Sequence, residues 1–180
     1  STVNTFVVSD VGSSNDLLDE DFSICPATHW TTYSVSGTRN WECGMGYMEI
    51  NAYGSDVACD DWLISPVQNL NAYENEVLSF KSWNKYADNY YPPIEIKYSV
   101  SYTGSGDPGA ASWNTLSATW CAENDQVWTS SGNIDISAIS GTDVYFAFHY
   151  TSSGTGTGTS AYWEVDDVLI TGDEITNKNP

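Results

Sequence analysis

Residues 161–170, AYWEVDDVLI, read as a strand: Trp163, Val165, Val168 and Ile170 supply the aromatic and β-branched bulk that suits a pleated, half-buried surface. Asp166 and Asp167 interrupt it. Neighbours in a strand point to opposite faces, so regular alternation turns one of two adjacent carboxylates inward, or toward a neighbouring strand or loop. A buried carboxylate needs a compensating partner: an Arg, a Lys or a metal ion. The chain has five Lys and Arg against 24 Asp and Glu. The segment therefore sets both the fold question and the first functional question, which is what these aspartates hold.

Working outward, strand-like segments recur with turn residues between them. They are TFVVSD (5–10), LLDEDFS (17–23), HWTTYSVS (29–36), GYMEINAY (46–53), DWLISPVQNL (61–70, stopped by Pro66), ENEVLSFKSW (74–83), PIEIKYSVSY (93–102), GTDVYFAFHYTS (141–152) and AYWEVDDVLITG (161–172). No long segment shows an apolar stripe at helical spacing. Roughly nine strands in a chain of 180 residues predict an all-β protein, a two-sheet antiparallel β-sandwich of jelly-roll type. Residues 1–174 read as a single module, with 175–180 as a linker or tail, which suggests a piece of a longer protein.

A formal net charge of −19 argues against nucleic acid and against anionic membrane surfaces as partners. No run of about 18 apolar residues is present to span a membrane. Cys25, Cys43, Cys59 and Cys121 form no CxxC pair, so a zinc site is not indicated. An even cysteine count in a chain rich in Tyr, Trp, Thr, Ser and Gly suggests an exported protein with one or two disulfides, and three pairings are possible. Buried free thiols are the other reading.

The acids cluster as Asp19-Glu20-Asp21, Asp60-Asp61 and Asp166-Asp167. Calcium takes six to eight oxygens, so clusters remote in sequence can converge on one ion if the first and last strands are neighbours. The plain alternative is solvated surface charge. Adjacent acids on one strand do not supply the roughly 5–10 Å carboxyl separation of a glycoside hydrolase. His149 reads as a packed strand histidine and His29 has no marked partner. GxSxG, HExxH and P-loop motifs are absent, so no catalytic residue is assigned.

Eight Trp and 12 Tyr are many for this length. Trp30, Trp41, Trp62, Trp113 and Trp163 lie in or beside strands and read as core. Residues 83–93, WNKYADNYYPP, read instead as a loop in which Trp83, Tyr86, Tyr90 and Tyr91 surround Asn84, Asp88 and Asn89. Aromatic faces stack on sugar rings while amides and carboxylates bond the hydroxyls. The competing reading packs these rings onto the sandwich.

Several motifs together resemble a known family. DDWLISPVQNL (60–70) resembles the DWLISP signature of the choice-of-anchor J domain and the related cleaved-adhesin domain. HWTTYSVSG (29–37), IKYSVSYTGSGDPGAASWNTLSA (96–118) and SGNIDISAISGTDVYFAFHYTSSGTGTGTSAYWEVDDVLITG (131–172) are similar to further passages of it, in the same order. The resemblance spans about residues 17–172. It implies a secreted bacterial jelly roll, usually a non-catalytic module beside the enzymes of a larger exported protein. It also implies calcium near the first strand and the Asp-Asp strand, which nominates Asp21, Asp61, Asp166 and Asp167. Where the family often has a second acid two positions past the first-strand Asp, this chain has Ser23, and Glu20 is the substitute.

The expectation is a non-catalytic carbohydrate-binding or adhesion module, stabilised by calcium. Its ligand is a polysaccharide or glycan, held by Trp83, Tyr86, Tyr90, Tyr91, Asn84 and Asp88. The alternative is a structural or protein-interaction module that positions a neighbouring enzyme and has no glycan ligand.

Overall fold

The computed structural model describes residues 14–53, 55, 57–87, 94–153 and 160–175. The strands are β1 (Ser14–Glu20), β2 (Thr31–Ser36), β3 (Glu42–Cys43), β4 (Met48–Asn51), β5 (Asp60–Ile64), β6 (Tyr73–Lys85), β7 (Ile94–Ser99), β8 (Asn114–Leu116), β9 (Thr129–Ser130), β10 (Ile134–Asp135), β11 (Tyr145–Thr151) and β12 (Tyr162–Glu174). Two 3-10 turns, Leu70–Ala72 and Pro108–Ala110, are the helical pieces among the described residues. The strands form two antiparallel sheets, as expected for a β-sandwich. One has five strands in the order β2-β5-β11-β7-β8. The other has seven, with β10-β6-β12-β4-β3 as its spine, β1 on β12 and β9 on β6.

Period-two patterning explains the core. Leu78, Phe80 and Ser82 of β6 are buried and alternate with more exposed neighbours, while Phe146, Phe148 and Tyr150 of β11 line the core and Ala147, between them, is buried in a smaller cluster with Trp62 and Ile64 on the opposite face. Phe148 sits at the centre, meeting Trp30, Trp41, Phe80 and Trp120 at ring-centroid distances of 5.0–6.5 Å. Trp41, Trp62 and Trp163 are buried, and Trp30 and Trp113 pack against the buried clusters, as their strand positions predict. The Tyr150 hydroxyl donates to the Ala161 carbonyl at 2.8 Å and accepts the Ala161 amide at 3.2 Å. That exchange ties the five-stranded sheet to the start of β12.

Cys25 and Cys43 form a disulfide, while Cys59 and Cys121 are buried free thiols. The TFVVSD segment (5–10) lies outside the described residues, as does the tail from 176 onward. The Gly-Thr connector is outside them from 154 to 159.

Candidate functional site

β12 answers the question its own sequence raises. Its edges serve three partners: β6 along one side, β4 opposite residues 162–165 on the other, and β1 opposite residues 168–173. Asp166 and Asp167 stand where β4 hands over to β1. The register against β6 slips between Asp166 and Leu169, and Asp167 has φ 48°. Val165 and Val168 are both buried, although three residues apart. One extra residue in the strand makes this possible, and it turns both carboxylates to the outer face. Asp166 lies opposite Lys81, and Asp167 pairs with the Lys81 ammonium at 2.5 Å. The bulge turns neither carboxylate inward; of the two expected directions, inward or toward a neighbouring strand, the second holds, and Lys81 of β6 supplies a cation for one of them. Asp166 is pushed up to about 6 by burial first, with the Asp167 and Asp21 charges adding to it.

The first strand does pair with the last, through Glu20↔Val168. Asp21, just beyond β1, is close enough for its charge to act on Asp166. The Asp21 carboxylate accepts the Ser23 amide at 2.9 Å, and Glu20 accepts that of Phe22 at 2.9 Å. Asp61 is placed elsewhere. It belongs to β5 in the other sheet, where it is fully buried, and the charge that acts on it is that of Asp60. Its carboxyl is also raised to about 6, chiefly by burial. Asp60 is engaged by the Trp62 indole at 2.9 Å and by Nε2 of His149 at 2.9 Å. The expected proximity of the Asp60-Asp61 segment to the Asp166-Asp167 pair is thus corrected: a β-sandwich places them in different sheets. Among the described residues no three acidic, His or Cys side chains are arranged to hold an ion. The four aspartates do not form one calcium cage. What remains compatible with a cation is Asp21 beside Asp166, with water or carbonyl oxygens needed to complete the shell.

His149 stacks on Trp62, with ring centroids 3.9 Å apart. Burial holds its imidazole below its ordinary value, outweighing the bond to Asp60. It is a packed strand histidine.

The expected aromatic loop begins later than its sequence suggests. Residues 83–85 belong to β6, so Trp83 and Asn84 stand on a strand rather than a loop. Asn84 is buried: its amide donates to the Tyr162 carbonyl at 3.2 Å and its carbonyl accepts the Asn124 amide at 2.9 Å. Both ends are spent inside the protein, which corrects its nomination as a ligand-bonding group. Trp83, one residue earlier, points the other way and is half-buried on the outer face. It lies opposite Glu164 and meets Tyr162 edge-on at 5.7 Å. Tyr86 is exposed, with the Lys85 ammonium 4.5 Å from its ring centroid. Asp88, Asn89, Tyr90 and Tyr91 lie outside the described residues.

Three further residues complete the Trp83 surroundings. The Tyr162 hydroxyl donates to Glu49 Oε2 at 2.5 Å. Glu164, directly opposite Glu49, is buried, and burial together with the Glu49 charge raises its carboxyl. Burial first, then the bonds to these glutamates, push the Tyr162 phenol above its ordinary value. The result is a strand-borne platform: two aromatic rings, one exposed Tyr at its end, and the Glu49 carboxylate able to accept hydroxyl donors, with Glu164 buried behind it. The signal was available in the i, i+2 series Tyr162-Glu164-Asp166 and Glu49-Asn51, which line one face of each strand.

No family model matches the chain, and no curated protein matches it. Solved structures do. The K3 cleaved adhesin domain of Lys-gingipain from Porphyromonas gingivalis W83 aligns over 88% of this chain and 100% of its own, with a TM-score of 0.53 and 16% identity. The K1 cleaved adhesin domain of the same protein aligns over 90% and 99%, at 0.52 and 17%. The tandem CBM22-1-CBM22-2 structure from Paenibacillus barcinonensis Xyn10C covers 96% of this chain and 49% of its own, at 0.52 and 14%. At these identities the likeness is one of fold: this chain has the sandwich found in cleaved adhesin domains and in that carbohydrate-binding tandem.

Proposed function

We propose that this chain is a non-catalytic carbohydrate-binding or adhesion module of a larger secreted bacterial protein. Its ligand lies across the outer face of the seven-stranded sheet, at the Trp83–Tyr162 platform. The observation that carries this is the placement of Trp83: on a long strand rather than a mobile turn, braced edge-on by Tyr162, beside the Glu49 and Glu164 carboxylates. Rigid strands position a binding group more firmly than loops do. The fold shared with cleaved adhesin domains and a carbohydrate-binding tandem supports the reading, and the Cys25–Cys43 disulfide suits an oxidising compartment. A neutral polysaccharide is compatible with the acidic surface, and a repeating polymer compensates modest affinity through multivalency.

Affinity electrophoresis through gels containing soluble polysaccharides tests the proposal. Wild type is retarded in at least one gel, Trp83→Ala runs at the unretarded position, and Tyr86→Ala is intermediate. Free migration of the folded wild type in every gel sinks the glycan reading and favours a structural module.

Calcium belongs to the same proposal, at Asp21 and Asp166 rather than at all four aspartates. An ion bound only by the folded state raises its stability. Adding calcium to chelator-treated protein should raise the thermal midpoint in wild type but not in Asp166→Asn. An unchanged midpoint in wild type removes the metal from the account.

A further inference from the structure

Beside the platform, toward the β3 edge of the same sheet, Arg39, Asn40, Glu42, Glu49, Asn51 and Tyr53 line a cleft of about 220 Å³. That is smaller than the roughly 300–1,000 Å³ of pockets for drug-sized ligands and suits a single ring. Its chemistry follows from the register. Glu42 lies directly opposite Glu49, and Glu49 directly opposite Glu164. Three carboxylates thus stand in line across three adjacent strands, at the roughly 4.5–5.5 Å spacing of facing residues, where like charges destabilise a sheet. Arg39 shares the cleft, but its guanidinium donates to the Tyr53 carbonyl at 2.9 Å, and among the described residues no salt bridge reaches the three carboxylates. The Tyr162 hydroxyl gives Glu49 a hydrogen bond but no charge. Tyr53 is 62% exposed and stands among the lining residues with its ring free to meet a ligand.

We propose that this cleft takes an amino sugar, a pyranose carrying a protonated amine. The ammonium sits against Glu42 and Glu49, a hydroxyl accepts from the Asn51 side-chain amide, and the ring lies on Tyr53. A neutral hexose offers hydroxyl donors to the carboxylates but leaves their mutual repulsion in place. An N-acetylated unit replaces the ammonium with an uncharged amide. The ammonium alone supplies charge, hydrogen bonds and attraction to an aromatic face together. The proposal rests on the carbohydrate-binding reading and specifies the class of sugar.

Calorimetric titration of the whole chain with three β-1,4-linked tetramers tests it: glucosamine, N-acetylglucosamine and glucose. The glucosamine tetramer should bind at least about tenfold tighter than the other two. The preference should shrink as salt rises from about 0.05 to 0.5 M. Glu42→Gln/Glu49→Gln should abolish it, the glutamine at 49 still accepting the Tyr162 bond. Because the whole chain is strongly negative, the control is a variant of equal charge change, Asp125→Asn/Asp143→Asn, which should keep the preference. Equal affinity for the three tetramers overturns the proposal, as does a control that loses the preference to the same extent. If the neutral tetramers bind equally well and Trp83→Ala abolishes that binding, the carbohydrate reading stands and the amino-sugar assignment falls. Binding of no tetramer overturns the amino-sugar proposal, and the carbohydrate reading falls with it only if wild type also migrates freely in every polysaccharide gel.

Discussion

Asp167 occupies the left-handed region at φ 48°, where a side chain other than glycine carries a steric cost. Asp tolerates this better than a branched residue. Asp167→Gly should therefore stay within about 0.5 kcal/mol of wild type, trading the half-exposed Lys81 pair for relief of strain. Asp167→Val should lose about 1–2 kcal/mol or more in a chemical denaturation experiment. Equal stability of the two variants would deny the bulge. Asp61 makes a second prediction at this level. Its carboxyl titrates near 6 in the fold and near 3.8 in the unfolded chain. Between those values the folded state binds more protons, so this group makes stability fall as pH rises through the window. Asp166 acts in the same direction, while His149, depressed below its usual 6.5, acts oppositely as pH falls below that value. Asp61→Asn should raise stability at pH 8 by about 1–3 kcal/mol and flatten its decline from pH 4 to 7. Unchanged stability of Asp61→Asn at pH 8 would show that the buried carboxylate is compensated. The acids at 61, 166 and 167 were visible as unusual from sequence. The faces of Asp166 and Asp167 were not, because one inserted residue in β12 reverses the alternation on which any reading of a strand depends.

Among elements, β12 carries the organisation, and its aromatic and β-branched pattern made it readable. The strands β3, β9 and β10 span two residues each and escaped notice, since alternation has no meaning over so short a run. Their pairing is imposed by the neighbours they dock on. The boundary at Trp83 was missed for a related reason: Asn84, Lys85 and Tyr86 look like turn chemistry, yet β6 continues because β12 pairs with it as far as Lys85↔Tyr162. The β3 hairpin is anchored to the segment after β1 by the Cys25–Cys43 bridge, which closes a loop with a sequence separation of 18. Loop-closure entropy places its contribution at about 3 kcal/mol. Cys25→Ser/Cys43→Ser should lose most of that in denaturant titration and show no reductant-dependent change, whereas Cys59→Ser/Cys121→Ser should keep the full reductant effect. A reductant effect that persists without Cys25 and Cys43 would contradict the pairing.

For the molecule as a whole, two sheets bury one large aromatic core, so truncating Trp163 to Ala should cost about 3–5 kcal/mol in thermal or denaturant unfolding. The net charge of −19 opposes that core through self-repulsion, and moderate salt should raise the thermal midpoint by screening it. The sandwich was legible because its strands alternate so regularly. The candidate site was legible only at Trp83 and Tyr86, because its other members, Tyr162, Glu49 and Glu164, join them through pairing between strands far apart in sequence. The most direct check is a titration of ¹⁵N-labelled protein with oligosaccharides of the polysaccharide that retards it, followed by amide and indole NMR shifts. The account predicts that the largest changes fall on the Trp83 indole and on the amides of Tyr162, Glu164 and Glu49. Shifts concentrated instead around Trp62 and His149 on the five-stranded sheet, or no shifts with any oligosaccharide, would contradict it.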